Sequence, residues 1–146
     1  MRRLIVCAAA VTAMAIGSVV VAQSPIATVD DYQKVMRSNS QAFGATNKAI
    51  ASSAFADAKT QLATVRQNFV ALQVFWTEKK KDDAVAIVKD GIVKLDALDA
   101  ILSGAAPDQM AAQAAAKTFQ GQCGACHQAY REGNAQEGFK FKAGVM

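Results

Sequence analysis

Between Ser53 and Glu78 the residues Phe55, Ala58, Leu62, Val65, Phe69, Leu72 and Trp76 recur at alternating steps of three and four, with no proline or glycine among them. An α-helix completes a turn every 3.6 residues, so this spacing puts all seven on one stripe of a long helix. A helix with such a stripe is not stable in water alone; it must lay the stripe against other elements. The rest of the chain therefore has to supply partners of similar length.

Three further segments carry helical periodicity, and none reads as a strand. The first is predicted from about Val29 to Ile50, with Asp30 as a candidate cap. Its inner face holds Val29, Tyr32, Met36, Phe43 and Ile50, but Asn39 and Thr46 fall on the same face, so its middle is not a plain aliphatic core. The third segment follows the Lys79-Lys80-Lys81-Asp82-Asp83 turn. It runs to about Leu102 on Val85, Val88, Ile92, Leu95, Leu98 and Leu102, and Ser103-Gly104 closes it. The fourth starts at Pro107-Asp108 and is predicted to reach about Glu132, where Gly133 stops it. The tail from Gly138 to Lys142 alternates apolar and basic residues and is expected to lie against the helices. Long helices with short connections and near-heptad stripes give an all-α, antiparallel four-helix bundle. No repeat or linker divides residues 23–146, which are expected to form one domain.

The first 22 residues do not belong to that domain. Arg2 and Arg3 precede an uncharged apolar run from Leu4 to Val21, and Val20-Val21-Ala22 resembles a cleavage site for a signal peptide. An uncleaved membrane anchor is the alternative, but the Ala and Gly content and the cleavage-like end favour an exported chain cut after Ala22. Cys7 has Val6 before it and lies too early in the run for lipid attachment. No second apolar run of that length appears, so no stable membrane insertion is expected after cleavage. Losing Arg2 and Arg3 takes the net charge from +4 to about +2. That charge is weak and dispersed, and Lys79-Lys80-Lys81 is followed at once by two aspartates, so no nucleic-acid partner is expected.

Cleavage removes Cys7 and leaves Cys123 and Cys126 as the two mature cysteines. Cys123-Gly124-Ala125-Cys126-His127 is the Cys-x-x-Cys-His signature of c-type haem attachment. Residues three and four apart share one helix face. Both thiols can therefore reach the two vinyl groups of one porphyrin, while His127 places a ring nitrogen on the iron. Gly124 and Ala125 lack the bulk that would keep the porphyrin edge away from the backbone. A structural zinc site needs four ligands, and this inventory holds two cysteines and the single His of the chain. A thioredoxin-like dithiol belongs to a strand-containing fold. The expectation is one haem c per chain, carried on the last helix.

The stretch CGACHQAYR, from Cys123 to Arg131, near the end of a helical bundle, resembles the cytochrome c′ (class II cytochrome c) family. The resemblance extends across the mature chain through its size, helix order and the Phe75-Trp76 pair ending the second helix. It implies a haem on the last helix, an aromatic residue and a basic residue after the His (here Tyr130 and Arg131), and Arg131 flanking the haem on the His127 side. Arg131 is also explained as a solvated cation near a helix C-terminus, where the helix dipole favours it.

For the sixth iron position the mature chain offers Met36, Met110 and Met146. Met110 lies 17 residues before His127 on the same helix, roughly 25 Å along the axis at 1.5 Å per residue, and cannot reach the other face. Met146 is the last residue, where fraying is expected. Met36 lies on the inner stripe of the first helix. Val35-Met36-Arg37 looks like the low-spin members of the family, in which a Met from that helix binds iron, although Met on an apolar stripe is usually core. Gln41 falls off the inner face.

The expectation is thus a periplasmic mono-haem electron carrier with His127/Met36 ligation, not an enzyme, that serves redox partner proteins. The rival is a five-coordinate protein of the c′ type that binds nitric oxide or carbon monoxide, with Met36 merely covering the distal face. A peroxidase lacks support, because no second His exists to act as distal acid and base. The resemblance also implies that stripes on the first two helices can pair two copies as a homodimer.

Overall fold

The fold was described from a computed structural model, which describes residues 26–134 and 138–145. The leader expected at 1–22, with its cleavage site, and Met146 lie outside those residues. Four helices pack against each other: α1 (Val29–Ala51), α2 (Phe55–Glu78), α3 (Asp82–Leu102) and α4 (Gln109–Tyr130). Among the described residues no helix is long and apolar enough to cross a membrane.

Local chemistry accounts for the helix ends. α1 is capped by Thr28 rather than by Asp30. The Asp31 N–H donates to the Thr28 hydroxyl at 3.1 Å and the Thr28 N–H returns to the Asp31 carboxylate at 3.2 Å, a reciprocal capping box. Asp30 instead places its charge in the first turn, where the helix dipole favours it. Ser53, in the left-handed region at φ 57°, turns the chain between α1 and α2, so α2 starts at Phe55 rather than at Ser53. Lys80, at φ 54°, makes the corresponding turn into α3. Asp108 caps α4 by accepting from the N–H groups of Met110 (2.8 Å) and Ala111 (3.2 Å).

The C-terminal region departs from the expectation of helix alone. α4 ends at Tyr130 instead of Glu132, and the chain enters a two-stranded antiparallel hairpin, β1 (Arg131–Asn134) with β2 (Gly138–Phe141). Arg131 is extended at φ −112°, ψ 141°, and the Lys142 N–H closes the pairing on the Tyr130 carbonyl at 3.0 Å. Gly133 sits at φ 87°, with the Gly138 carbonyl where a Cβ would be, so only glycine fits there. A lone hairpin is marginal in water. This one is held by Phe141, whose ring lies 4.7 Å from Tyr32 and 5.9 Å from Trp76. The tail does lie against the helices, as its alternation indicated.

Six of the seven stripe residues of α2 are buried, with Phe55 half-buried. On α3, Val88, Leu95, Leu98 and Leu102 are buried and Val85 and Ile92 half-buried, a core layer consistent with the stripe. The first and last helices behave differently. On α1 only Tyr32, Ala42, Thr46 and Ile50 are buried, while Met36 and Phe43 are half-covered and Val29 is exposed. On α4 burial runs through Ala112, Ala116 and Phe119, then fails until Tyr130. The two inner faces lose their protein cover over the same end of the molecule.

Candidate functional site

A cavity of about 800 Å³ lies where that cover is lost. α1 contributes Met36 to its wall, together with Tyr32, Asn39 and Phe43. α4 contributes Cys123, Cys126, His127 and Tyr130, and the hairpin adds Arg131 and Phe141. The floor is the apolar stripe of α2, from Val65 through Phe69 and Leu72 to Trp76. All five residues singled out from the sequence, Met36, Cys123, Cys126, His127 and Arg131, therefore line one space. Met110 does not; it is 79% exposed at the far end of α4. Gln41 is exposed and off the wall.

The periodicity of α4 places the motif as expected. Cys123, Cys126 and His127 are half-buried on the inner side, while Gly124 and Ala125 are exposed. The two thiols are not bridged to each other. Burial raises the pKa of Cys123, and burial, then the neighbouring Cys123 and Asp83, pushes Cys126 up to about 11. Redox-active dithiols depend on a depressed thiol pKa, so this pair has the opposite electrostatics from a disulfide oxidoreductase. Burial, followed by the nearby positive charge of Arg131, lowers the pKa of His127. The imidazole is accordingly neutral at pH 7, the form that binds metals.

Arg131 is exposed on β1, not helical. Its guanidinium lies 3.9 Å from the centroid of the Phe139 ring, and its backbone N–H donates to the His127 carbonyl. Arg37 and Lys140 join it in lining the cavity, and among the described residues no Asp or Glu does so. Lys140 is paired with Glu132 at 3.5 Å, so Arg37 and Arg131 supply the positive charge of the opening, in a chain of net charge +4.

An aromatic group closes the end of the cavity beyond the motif. Trp76 is fully buried, 4.7 Å from Tyr130 and 5.8 Å from Tyr32 between ring centroids. Three buried side-chain polar atoms among the described residues have no well-formed hydrogen bond: Asn39 Oδ1, Trp76 Nε1 and Tyr130 Oη. All three residues line this cavity. The Trp76 N–H faces the Tyr32 hydroxyl, and the Tyr130 hydroxyl faces Asp83 without good alignment. Burial and that carboxylate push Tyr130 up to about 12. Of these residues the sequence marked Asn39 as an interruption of the α1 stripe. The roles of Arg37, Trp76 and Phe141 as wall residues carried no signal beyond their own periodicity.

Comparisons of the chain with protein-family models, with curated proteins and with solved structures find no match.

Proposed function

We propose that the chain is an exported, periplasmic mono-haem c-type cytochrome that carries electrons. Its haem is joined to Cys123 and Cys126 and ligated by His127 and Met36. The observation that carries this reading is the shared cavity: a methionine of α1 and the Cys-x-x-Cys-His set of α4 line the same space. Its volume lies within the ~300–1,000 Å³ typical of small-molecule and cofactor sites. An apolar floor with a cationic rim suits a flat apolar ring bearing two carboxylates, and the protonated thiols suit thioether formation. Each S–H adds across one vinyl group, so nothing is oxidised and nothing leaves.

A haem iron held this way supplies one-electron exchange between Fe(III) and Fe(II). The chain's own residues do the rest. His127 presents a neutral nitrogen, and Met36 presents a thioether, a ligand that raises the potential relative to two nitrogens. The α2 floor and the Trp76 group exclude water from that space. Arg37 and Arg131 would balance the carboxylates at the rim, where Lys140 is held by Glu132. Gly124 and Ala125 are exposed, which supports electron exit at the motif edge beside Cys123. Redox partner proteins would dock over that edge.

Oxidised and reduced visible spectra test the ligation. The expected result is low-spin haem with a ferric methionine-to-iron charge-transfer band, lost in Met36→Ala and kept in Met110→Ala. A high-spin ferric spectrum of the unmutated protein at neutral pH would refute Met36 ligation. It would favour the five-coordinate alternative that binds nitric oxide or carbon monoxide.

A further inference from the structure

The α1 stripe is broken beside Met36 by a polar residue whose buried oxygen has nothing to bind. Asn39 follows Met36 by three residues, so their Cβ atoms are neighbours on the helix surface, and both side chains line the cavity. Asn39 Oδ1 is shielded from solvent and makes no hydrogen bond. The other two such atoms each face an oxygen, from Tyr32 or Asp83. An apolar side chain would have completed the stripe, and leaving a buried amide oxygen unpaired is unfavourable.

The backbone that carries Asn39 is pinned. Next to it, Ser38 accepts a hydrogen bond at 3.0 Å from the Asn68 amide, which is only 4% exposed on α2. This part-buried polar link ties α1 to α2 at the turn holding Met36 and Asn39. Half a turn about the last side-chain bond exchanges the amide oxygen and nitrogen with almost no change of shape. The amide N–H then takes the orphaned oxygen's place, on the helix face that Asn39 shares with Met36. A thioether sulfur that gives one lone pair to iron keeps a second, a weak acceptor.

We propose that Asn39 is a positioning residue for the sixth iron ligand, its carboxamide donating a hydrogen bond to the sulfur of Met36. This inference rests on the His127/Met36 reading above. The N–H withdraws electron density from the sulfur. It therefore weakens support for Fe(III) more than for Fe(II) and raises the potential. It also holds the sulfur in place against competing ligands.

The test uses the haem-loaded full chain, titrated with imidazole as the competing ligand, and compares Asn39→Ala and Asn39→Leu with the unmutated protein. A net neutral hydrogen bond corresponds to roughly a two- to tenfold effect on an equilibrium. Imidazole should displace Met36 about two- to tenfold more easily in both variants. The potential of Asn39→Ala should fall, by about 59 mV if the effect reaches tenfold. Leu restores bulk without a donor, so a Leu variant that behaves like the unmutated protein would show that Asn39 only fills space, and would overturn the proposal. An unchanged or raised potential in Asn39→Ala would overturn it as well. Failure of the underlying reading is seen separately, as a missing methionine-to-iron band in the unmutated protein.

Discussion

Replacing Gly91 with alanine tests how tightly α3 is set against the aromatic wall of the cavity. Gly91 is buried in the middle of α3, and a Cβ there would lie 2.6 Å from Phe69 Cε1 and 3.0 Å from Cδ1. Ordinary carbon contacts are ~3.5–4.0 Å, so the Phe69 ring must retreat by about 1 Å. The neighbouring rings resist that movement. Phe69 packs at 5.0 Å on Phe119, which packs at 5.0 Å on Phe43, and all three line the cavity. Overpacking of this kind costs about 1–3 kcal/mol. Alanine returns ~0.8–1 kcal/mol through better helix propensity. The net expectation is a loss of about 1 kcal/mol, or roughly 3–6 °C in melting midpoint for a domain of this size. Gly121→Ala is the matched control: it is helical and exposed, and its added Cβ meets nothing within 4 Å, so it should be stabilised by up to ~1 kcal/mol. Urea or thermal unfolding followed by circular dichroism separates the two. If Gly91→Ala gains as much stability as Gly121→Ala, the close approach of α3 to Phe69 is wrong. If haem fills the cavity as proposed, Phe69 would have less room to move, and the penalty would be larger in the haem-loaded protein.

Phe141→Ala should cost about 2 kcal/mol, less than the ~3–5 kcal/mol of a fully buried phenylalanine because the ring is half-covered. It should also speed amide exchange in the hairpin, and unchanged protection of Lys142 would contradict its anchoring role. Asp31 gives a pH signature. Its carboxyl is held below the ordinary range by the Thr28 hydroxyl first and Lys34 second. A folded pKa that is depressed contributes stability above the unfolded value and loses it as the pH falls through the folded one. Asp31→Asn should therefore melt below the unmutated protein at neutral pH and match it at strongly acid pH. A difference that persists unchanged in acid would refute the capping-box account.

Helix positions were legible because stripe, cap and stop chemistry are local. The seven-residue stripe of α2 and the start of α4 beside Pro107-Asp108 depend on neighbours within one or two turns, so local sequence locates them. Asp30 was a natural candidate cap, yet Thr28 caps α1, because the choice depends on which residue turns extended and receives the Asp31 N–H. The hairpin was invisible for a related reason. Arg131–Asn134 has no strand alternation, and β1 exists only because Phe141 finds Tyr32 and Trp76 at the end of the helices.

The same division holds for the candidate site. The placement of Cys123, Cys126 and His127 on one face of α4 follows from spacing along a single helix, and the sequence by itself determined it. That Met36, almost ninety residues earlier, faces the same cavity depends on how α1 packs against α2 and α4, and only the tertiary structure decided it. So too did the loss of cover shared by Met36 and Phe43 on α1 and by the motif on α4. A stripe records which side of a helix avoids water, but not whether a neighbouring helix or an empty space receives it.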